Sequence, residues 1–296
     1  NRSSKIRERA ARGIFTVAAL FSLGALLVIT IFLLCNGVPF IARTGFGKFV
    51  LGAEWRPLAD TPSYGILPMI VTSLYVTALA VIFGVVIGLS TAVCLYRFCP
   101  RKLVSPVRQM INLLAGIPSV IYGLFGMTVI VPFLRDYLSP TGVGYGILAA
   151  AIVLSVMILP TVVSVSLDSL SSVPISYYEG ALALGSTEAE ATFKIVLPAA
   201  KSGVTSGVIL AVGRALGETM AVIMVGGSPE MPKSLFQSVR TLTSNIAMGA
   251  MELDENTQEA LIASGVVLLV FALLLNISFS FLKQDWSERR KRRGKV

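Results

Sequence analysis

The sequence predicts an all-α membrane protein with six transmembrane helices. Three observations predict it. Over half of the 296 residues are apolar and 14% are charged, with a mean hydropathy of +0.79, a balance that excludes an ordinary soluble domain. Apolar runs of the roughly 20 residues needed to cross a bilayer recur along the chain. The basic residues stand beside these runs and form no separate patch, so the net charge of +9 reads as a topology signal and not as a nucleic-acid surface.

Composition also removes whole classes of chemistry. Histidine is absent, which excludes imidazole metal ligands, imidazole proton relays and His-based triads, and no metal site is expected. Cys35, Cys94 and Cys99 lie in or at the ends of apolar runs, an odd number that argues for packing roles and against a disulfide framework. The nearest approach to a Walker A loop is Gly45-Phe46-Gly47-Lys48-Phe49, which lacks the spacing and the hydroxyl after lysine. If ATP drives this protein, another chain hydrolyses it.

In chain order, residues 1–13 form a basic start carrying Arg2, Lys5, Arg7, Arg9 and Arg12, and an apolar run follows from Ile14 to about Cys35. Phe32-Leu33-Leu34-Cys35-Asn36 makes a poor cleavage site, so a retained first span is expected in place of a signal peptide. The sequence begins at Asn1 without Met, and an earlier natural start is expected. Residues 36–65 read as a polar connection with Phe46, Phe49 and Trp55 at the membrane interface. The second span lies within Leu67 to Tyr96, and a short basic link follows with Arg97, Arg101, Lys102 and Arg108. The third span is expected from about Ile111 to Leu134, with a bend at Gly116-Ile117-Pro118-Ser119 that frees a backbone carbonyl. The fourth runs from Gly146 to about Leu167 with a kink site at Pro160, the fifth from Gly203 to Gly227, and the sixth from Ala260 to Leu282. One unit, 14–282, holds all six, and residues 283–296 form a basic tail.

Lys and Arg total 18 on the side of the two termini and 6 on the other, so the positive-inside rule puts both termini and the loop 168–202 in the cytoplasm. That loop has its own local logic. Pro174 suits a first helical turn, Tyr177 to Leu184 continue it, and Gly185 supplies a left-handed end. Thr187 and Glu190 have capping-box spacing for a second short helix over Ala189 to Leu197, before Pro198. The expected product is a compact knob, small at its corner, that fits a groove on a partner.

The fifth span carries Gly213-Arg214-Ala215-Leu216-Gly217-Glu218-Thr219. Arg214 and Glu218, four apart, are expected as neighbours on one helix face. A charge at that depth costs on the order of 2.5 to 3.5 kcal/mol, so it should face protein or a water-filled path. A planar guanidinium suits an oxyanion, and Glu218 can hold it in position or accept from a protonated phosphate oxygen, a donor that sulfate lacks. A purely structural ion pair is the plain alternative. Gly203/Gly207 and Gly213/Gly217 have the spacing for close helix approach.

Glu179-Gly180-Ala181, Gly185 and Ile195-Val196-Leu197-Pro198 at their spacing resemble the EAA signature of permease subunits of ABC importers, with Gly180 where that family has Ala. The sequence around Arg214, together with Gly52-Ala53-Glu54-Trp55-Arg56-Pro57, Gly116 to Gly123 and Thr241-Leu242-Thr243-Ser244-Asn245-Ile246-Ala247, is similar to the phosphate-specific ABC importer permeases, to the PstC branch more than the PstA branch. The resemblance implies the ABC importer type I permease fold with a cytoplasmic coupling helix in a bacterial inner membrane. It implies ATPase coupling through Glu179, Gly180, Ala181, Gly185, Ile195, Leu197 and Pro198, and a phosphate pathway at Arg214 and Glu218. It implies a PstA-like second permease, two ATPase subunits that hold the ATP and Mg, and an outside phosphate-binding protein. The loops 36–65 and 228–259, the latter acidic through Glu252, Asp254, Glu255 and Glu259, would meet that protein. No cofactor is expected on this chain. A permease for sulfate or molybdate, a secondary carrier using Glu218, and a sensor or scaffold subunit remain open at this point.

Overall fold

A backbone in hydrocarbon has to satisfy its own N–H and C=O groups, and apolar runs do so as helices. The computed structural model, which describes residues 2–228, 230–250 and 254–293, is accordingly helical almost throughout. α1 (Arg2–Thr44) carries the first apolar run and leads to a short α2 (Phe46–Val50). A small antiparallel ladder, β1 (Trp55–Arg56) with β2 (Ser63–Tyr64), pairs Trp55 with Tyr64 and Arg56 with Ser63. Then come α3 (Leu67–Val93), α4 (Arg101–Ala115), α5 (Ser119–Phe125), α6 (Val131–Tyr137) and α7 (Ile147–Ser171). After α8 (Ile175–Ala183) and α9 (Glu188–Glu190) the chain enters α10 (Leu197–Gly217), α11 (Met220–Val225), α12 (Leu242–Gly249) and α13 (Glu255–Arg293).

Six helical stretches are long and apolar enough to cross a membrane: Ala11–Thr44, Leu67–Phe98, Ser119–Tyr137, Ile147–Ser171, Glu188–Gly217 and Glu255–Ser278. The chain is a multi-pass membrane protein. Glu252 and the end of the tail, 294–296, lie outside the described residues.

Proline sets where these helices are irregular. Stretches of π-helix at Cys94–Phe98, Gly126–Ile130 and Ala191–Val196 each end two residues before a proline, at Pro100, Pro132 and Pro198. A widened turn keeps the proline ring off the carbonyl one turn back and absorbs the missing N–H. Pro198 therefore does not close a separate short helix as expected; the helix runs on through it into α10.

Two other boundaries differ from the sequence reading. The third span begins at Ser119, not near Ile111, because Gly116 to Pro118 break the chain between α4 and α5. Pro118 has no N–H to give the Leu114 carbonyl, which accepts from Ile117 N–H at 3.2 Å and from the Tyr122 hydroxyl at 2.7 Å. The basic link is thereby the start of α4, an amphipathic helix whose Val107 and Ile111 pack inward. The expected polar connection 36–65 is a structured cap: Phe49 and Trp55 are buried beside Phe40, Met69, Leu242 and Leu261 while Phe46 is exposed. Phe40 meets Tyr64 edge-on with ring centroids 5.3 Å apart. Cys35 and Cys94 are exposed along the helices, so they do not pack inside this chain as expected; Cys99 is half-buried.

The α7 helix is the central post, with Met157, Ile158 and Val162 fully buried. It contacts α3 closely because Gly84 and Gly88 leave room: a Cβ at Gly84 would lie 2.6 Å from Ile158 Cδ1, and one at Gly88 2.8 Å from Val162 Cγ1. Pro160 sits inside this continuous helix. Gly84→Val is expected to destabilise the detergent-purified protein by about 1–3 kcal/mol through overpacking. Ile158→Ala in the same chain should recover part of the lost Tm; no recovery would mean that the two side chains do not share that space.

Candidate functional site

The knob is built as its sequence dictates. α8 ends at Gly185, whose φ of +88° is in the left-handed region. Ser186 N–H donates to the Ala181 carbonyl at 3.1 Å and Gly185 N–H to the Leu182 carbonyl at 2.9 Å, a Schellman closure. Thr187 then caps the next helix: its Oγ1 accepts from Glu190 N–H at 3.2 Å while Thr187 N–H donates to Glu190 Oε2 at 3.2 Å. Lys194 donates to Glu190 Oε1 at 2.8 Å. Tyr178 and Ala181 anchor the inner side, and Arg97 stacks over the Tyr178 ring at 3.8 Å.

Of the residues expected to couple, Glu179, Gly180, Gly185, Ile195 and Pro198 are exposed, Leu197 is half-buried and Ala181 is buried against the bundle. The sequence reading missed Leu184, which is 90% exposed beside the turn. A large apolar residue next to the left-handed glycine is the signal that would have found it. It also missed the tie between α4 and the foot of the knob, where Arg108 donates to Asp168 at 2.7 Å. Residues 60 positions apart give no local signal.

The charged pair is not the pair the spacing suggests. α10 stops at Gly217, Glu218 is extended with ψ 130°, and a new helix starts at Met220. The four-residue spacing therefore does not put Arg214 and Glu218 on one helix face, and no ion pair joins them among the described residues. Arg214 Nη1 instead donates to Thr161 Oγ1 on α7 at 3.5 Å. Glu218 Oε1 accepts from Ala221 N–H at 3.3 Å, so its carboxylate holds the first turn of α11. Its carbonyl accepts from Thr243 Oγ1 on α12 at 2.9 Å. A half-buried guanidinium bonded to a neutral hydroxyl keeps most of its donors for a ligand, and Tyr122 lies within electrostatic reach of the same charge.

The glycine pairs divide. Gly203 and Gly207 approach Ser169 and Val165 closely, whereas Gly213 and Gly217 meet nothing at the Cβ position and border an apolar cavity of about 470 Å³ between α10 and α13. Opposite the knob, a polar cleft of about 430 Å³ holds Glu54, Arg56, Glu230 and Lys233. Within the loop 228–259, Asp254 accepts from the Thr257 hydroxyl at 2.7 Å and from Thr257 N–H at 2.8 Å at the start of α13. These bonds, the hydroxyl first, hold the Asp254 carboxyl below its ordinary value. Glu259 is paired with Arg43.

Comparison with known proteins identifies the architecture. The family model described as "Binding-protein-dependent transport system inner membrane component" matches residues 80–293. A Bacillus subtilis (strain 168) protein named "Probable ABC transporter permease protein YqgH" is 38% identical over 295 residues, 97% of this chain and 93% of its own. The "Phosphate transport system permease protein PstC" of Xylella fastidiosa (strain 9a5c) is 35% identical, covering 93% of this chain and 90% of its own. A "Probable phosphate transport system permease protein PstC" of Methanocaldococcus jannaschii is 32% identical, covering 93% of each. Among solved structures, a chain of the inward-facing MetNI methionine ABC transporter superposes with TM-score 0.62 at 21% identity over 75% of this chain and 95% of that one. A chain of a bacterial ABC transporter for alginate gives 0.58 at 15% identity over 93% and 99%. The fold is that of ABC importer permeases.

Thr187→Ala removes a cap worth about 1 kcal/mol. Amide exchange at Glu188 to Ala191 should quicken about fivefold while that of α7 stays slow. Unchanged exchange at these amides would show that the cap does not hold the knob.

Proposed function

Because the chain belongs to the binding-protein-dependent transport system inner membrane component family, we propose that it is a membrane-spanning subunit of an ATP-driven importer of inorganic phosphate. The observation that carries the substrate is Arg214: a half-buried guanidinium in the fifth span whose partner is the Thr161 hydroxyl and not a carboxylate. A half-buried cation of fork geometry without a carboxylate partner suits an oxyanion. The PstC names of relatives at 32–35% identity support phosphate among the oxyanions. Glu218, held at the helix break, borders the same path and orders it.

In this reading the knob, with Glu179, Gly180, Ala181, Gly185, Ile195, Leu197 and Pro198, docks on an ATPase subunit that supplies the ATP and Mg chemistry. This chain itself performs no hydrolysis. A second, PstA-like permease completes the path, two ATPase copies drive it, and a phosphate-binding protein delivers substrate to the loops 36–65 and 228–259 on the other face. Both termini lie in the cytoplasm of a bacterial cell whose inner membrane holds the complex, an orientation supported by 18 Lys and Arg on that side against 6 on the other. Alternating access then exposes Arg214 to each face in turn.

The test is ATP hydrolysis and phosphate uptake in liposomes that contain this chain with its partner permease and ATPase, with phosphate or sulfate on the binding protein. Stimulation by phosphate alone is expected; equal stimulation by sulfate would remove the specificity, and none in an assembled complex would remove the importer. Arg214→Gln should assemble normally and lose uptake, and normal transport by it would exclude Arg214 from the path. Gly185→Val strains the left-handed turn and should abolish stimulation by loaded binding protein. Persistent stimulation in that variant would separate the turn from coupling.

A further inference from the structure

The start of α12 holds more hydrogen-bond donors than acceptors. Arg240 Nε donates to the Gly227 carbonyl at 3.2 Å and Nη1 to Asn245 Oδ1 at 3.2 Å. Both acceptors are neutral, and the remaining N–H groups of the guanidinium have no carboxylate partner among the described residues. Arg12, Arg43, Arg56, Arg108 and Arg135, by contrast, are each paired with a carboxylate. Asn245 is 1% exposed, and its Nδ2 is buried without a partner. A buried amide left unsatisfied is costly, and a nearby acceptor relieves it.

These residues surround the positive end of a helix. Thr241 and Ser244 form a capping box there, with Thr241 N–H donating to Ser244 Oγ at 2.9 Å. Leu242 N–H donates to Ser73 Oγ at 3.0 Å. Ser73 lies ~9 Å along α3 from its first residue by helical rise, so the α12 start sits inside the bundle and not on the loop surface. Thr243 fixes it to the Glu218 carbonyl. Arg240, anchored to Gly227 beyond the far end of α11, stands one short helix away from Glu218, toward the loops. A guanidinium without a carboxylate partner and a buried amide N–H without an acceptor together call for a ligand that only accepts: an oxyanion.

We propose that Arg240, positioned by Asn245 and backed by the first turn of α12, forms an outer oxyanion site that receives phosphate from the loop side before it reaches Arg214. This rests on the phosphate-importer reading of the chain. Arg240 contacts the ion. Asn245 Oδ1 holds the guanidinium through Nη1 and is a positioning residue. Two cations at successive depths let the ion pass from one to the next, with no carboxylate paired to either.

The test uses the complete transporter in liposomes and reads radiolabelled phosphate moved per ATP hydrolysed. Wild type comes first: if it moves no phosphate, the importer reading falls, and the outer site with it. Given a working wild type, Arg240→Gln should lower the phosphate-to-ATP ratio about tenfold, because released phosphate is not retained. Arg240→Lys should recover part of it. Asn245→Ala should lower the ratio less and carries the test if Arg240→Gln does not assemble. An unchanged ratio in Asn245→Ala and in whichever Arg240 variants assemble would overturn the proposal. So would equally weakened capture of empty and loaded binding protein by Arg240→Gln, which would give Arg240 to an acidic side chain of that protein.

Discussion

Every helix break in this protein answers to one constraint: a peptide group at membrane depth has no water to bond to. At the break before α5, Ile117 N–H and the Tyr122 hydroxyl both donate to the Leu114 carbonyl, and widened turns prepare the way into Pro100, Pro132 and Pro198. Where α10 ends at Gly217, the Glu218 side chain takes the Ala221 amide and Thr243 takes the Glu218 carbonyl. Ser73 takes the Leu242 amide. The irregular backbone is confined to places where a neighbouring helix can complete it, which is why the bundle tolerates breaks at all.

The same constraint reassigns Glu218. The Glu218 carboxylate accepts from the first turn of α11 and is not paired with Arg214. Removing the partner leaves a guanidinium bonded to a hydroxyl at 3.5 Å, a weak contact. A tight Arg–Glu pair at this depth would have been a lock on helix packing. Their separation is what makes a substrate role chemically reasonable, so the break in the fifth span matters more than the presence of both charges.

Much of this was legible in the residues because the controlling signals are local. The Gly185 turn and the Thr187 to Glu190 capping box lie where their spacing puts them, since both are closed within a few residues. The second and fourth spans follow from continuous apolar runs. The third and fifth differ from their reading for different reasons. The bend at Gly116 to Ser119 was legible but proves to be a full break that moves the start of the third span to Ser119, whereas Gly203 to Gly227 reads as unbroken and its course is decided by a hydrogen bond to a residue far along the chain, Thr243 for Glu218. Trp55 and Phe49 were misplaced likewise: an aromatic residue near a span end suits the interface equally well until Met69 and Leu261 are seen to cover it. Arg240 gave no signal alone, because its lack of a carboxylate is visible only in three dimensions.

The continuity through Pro198 has a mechanical consequence. Helix runs from Glu188 to Gly217 over 30 residues, ~45 Å at the ordinary rise, so the second arm of the knob and Arg214 share one continuous helix, widened at Ala191–Val196. Had Pro198 ended a separate helix, a displacement of the knob would be absorbed in a joint. Instead the continuous helix bears on α7 where Gly203 and Gly207 meet Ser169 and Val165, a contact close enough to act as a pivot. Its far end terminates at the break, where Arg214 reaches Thr161 on the same α7. In the proposed transport cycle a tilt at the knob would change the distance between Arg214 and α7, next to a backbone joint at Glu218. Helical continuity on one side of Arg214 and a break on the other are the two features on which that reading rests.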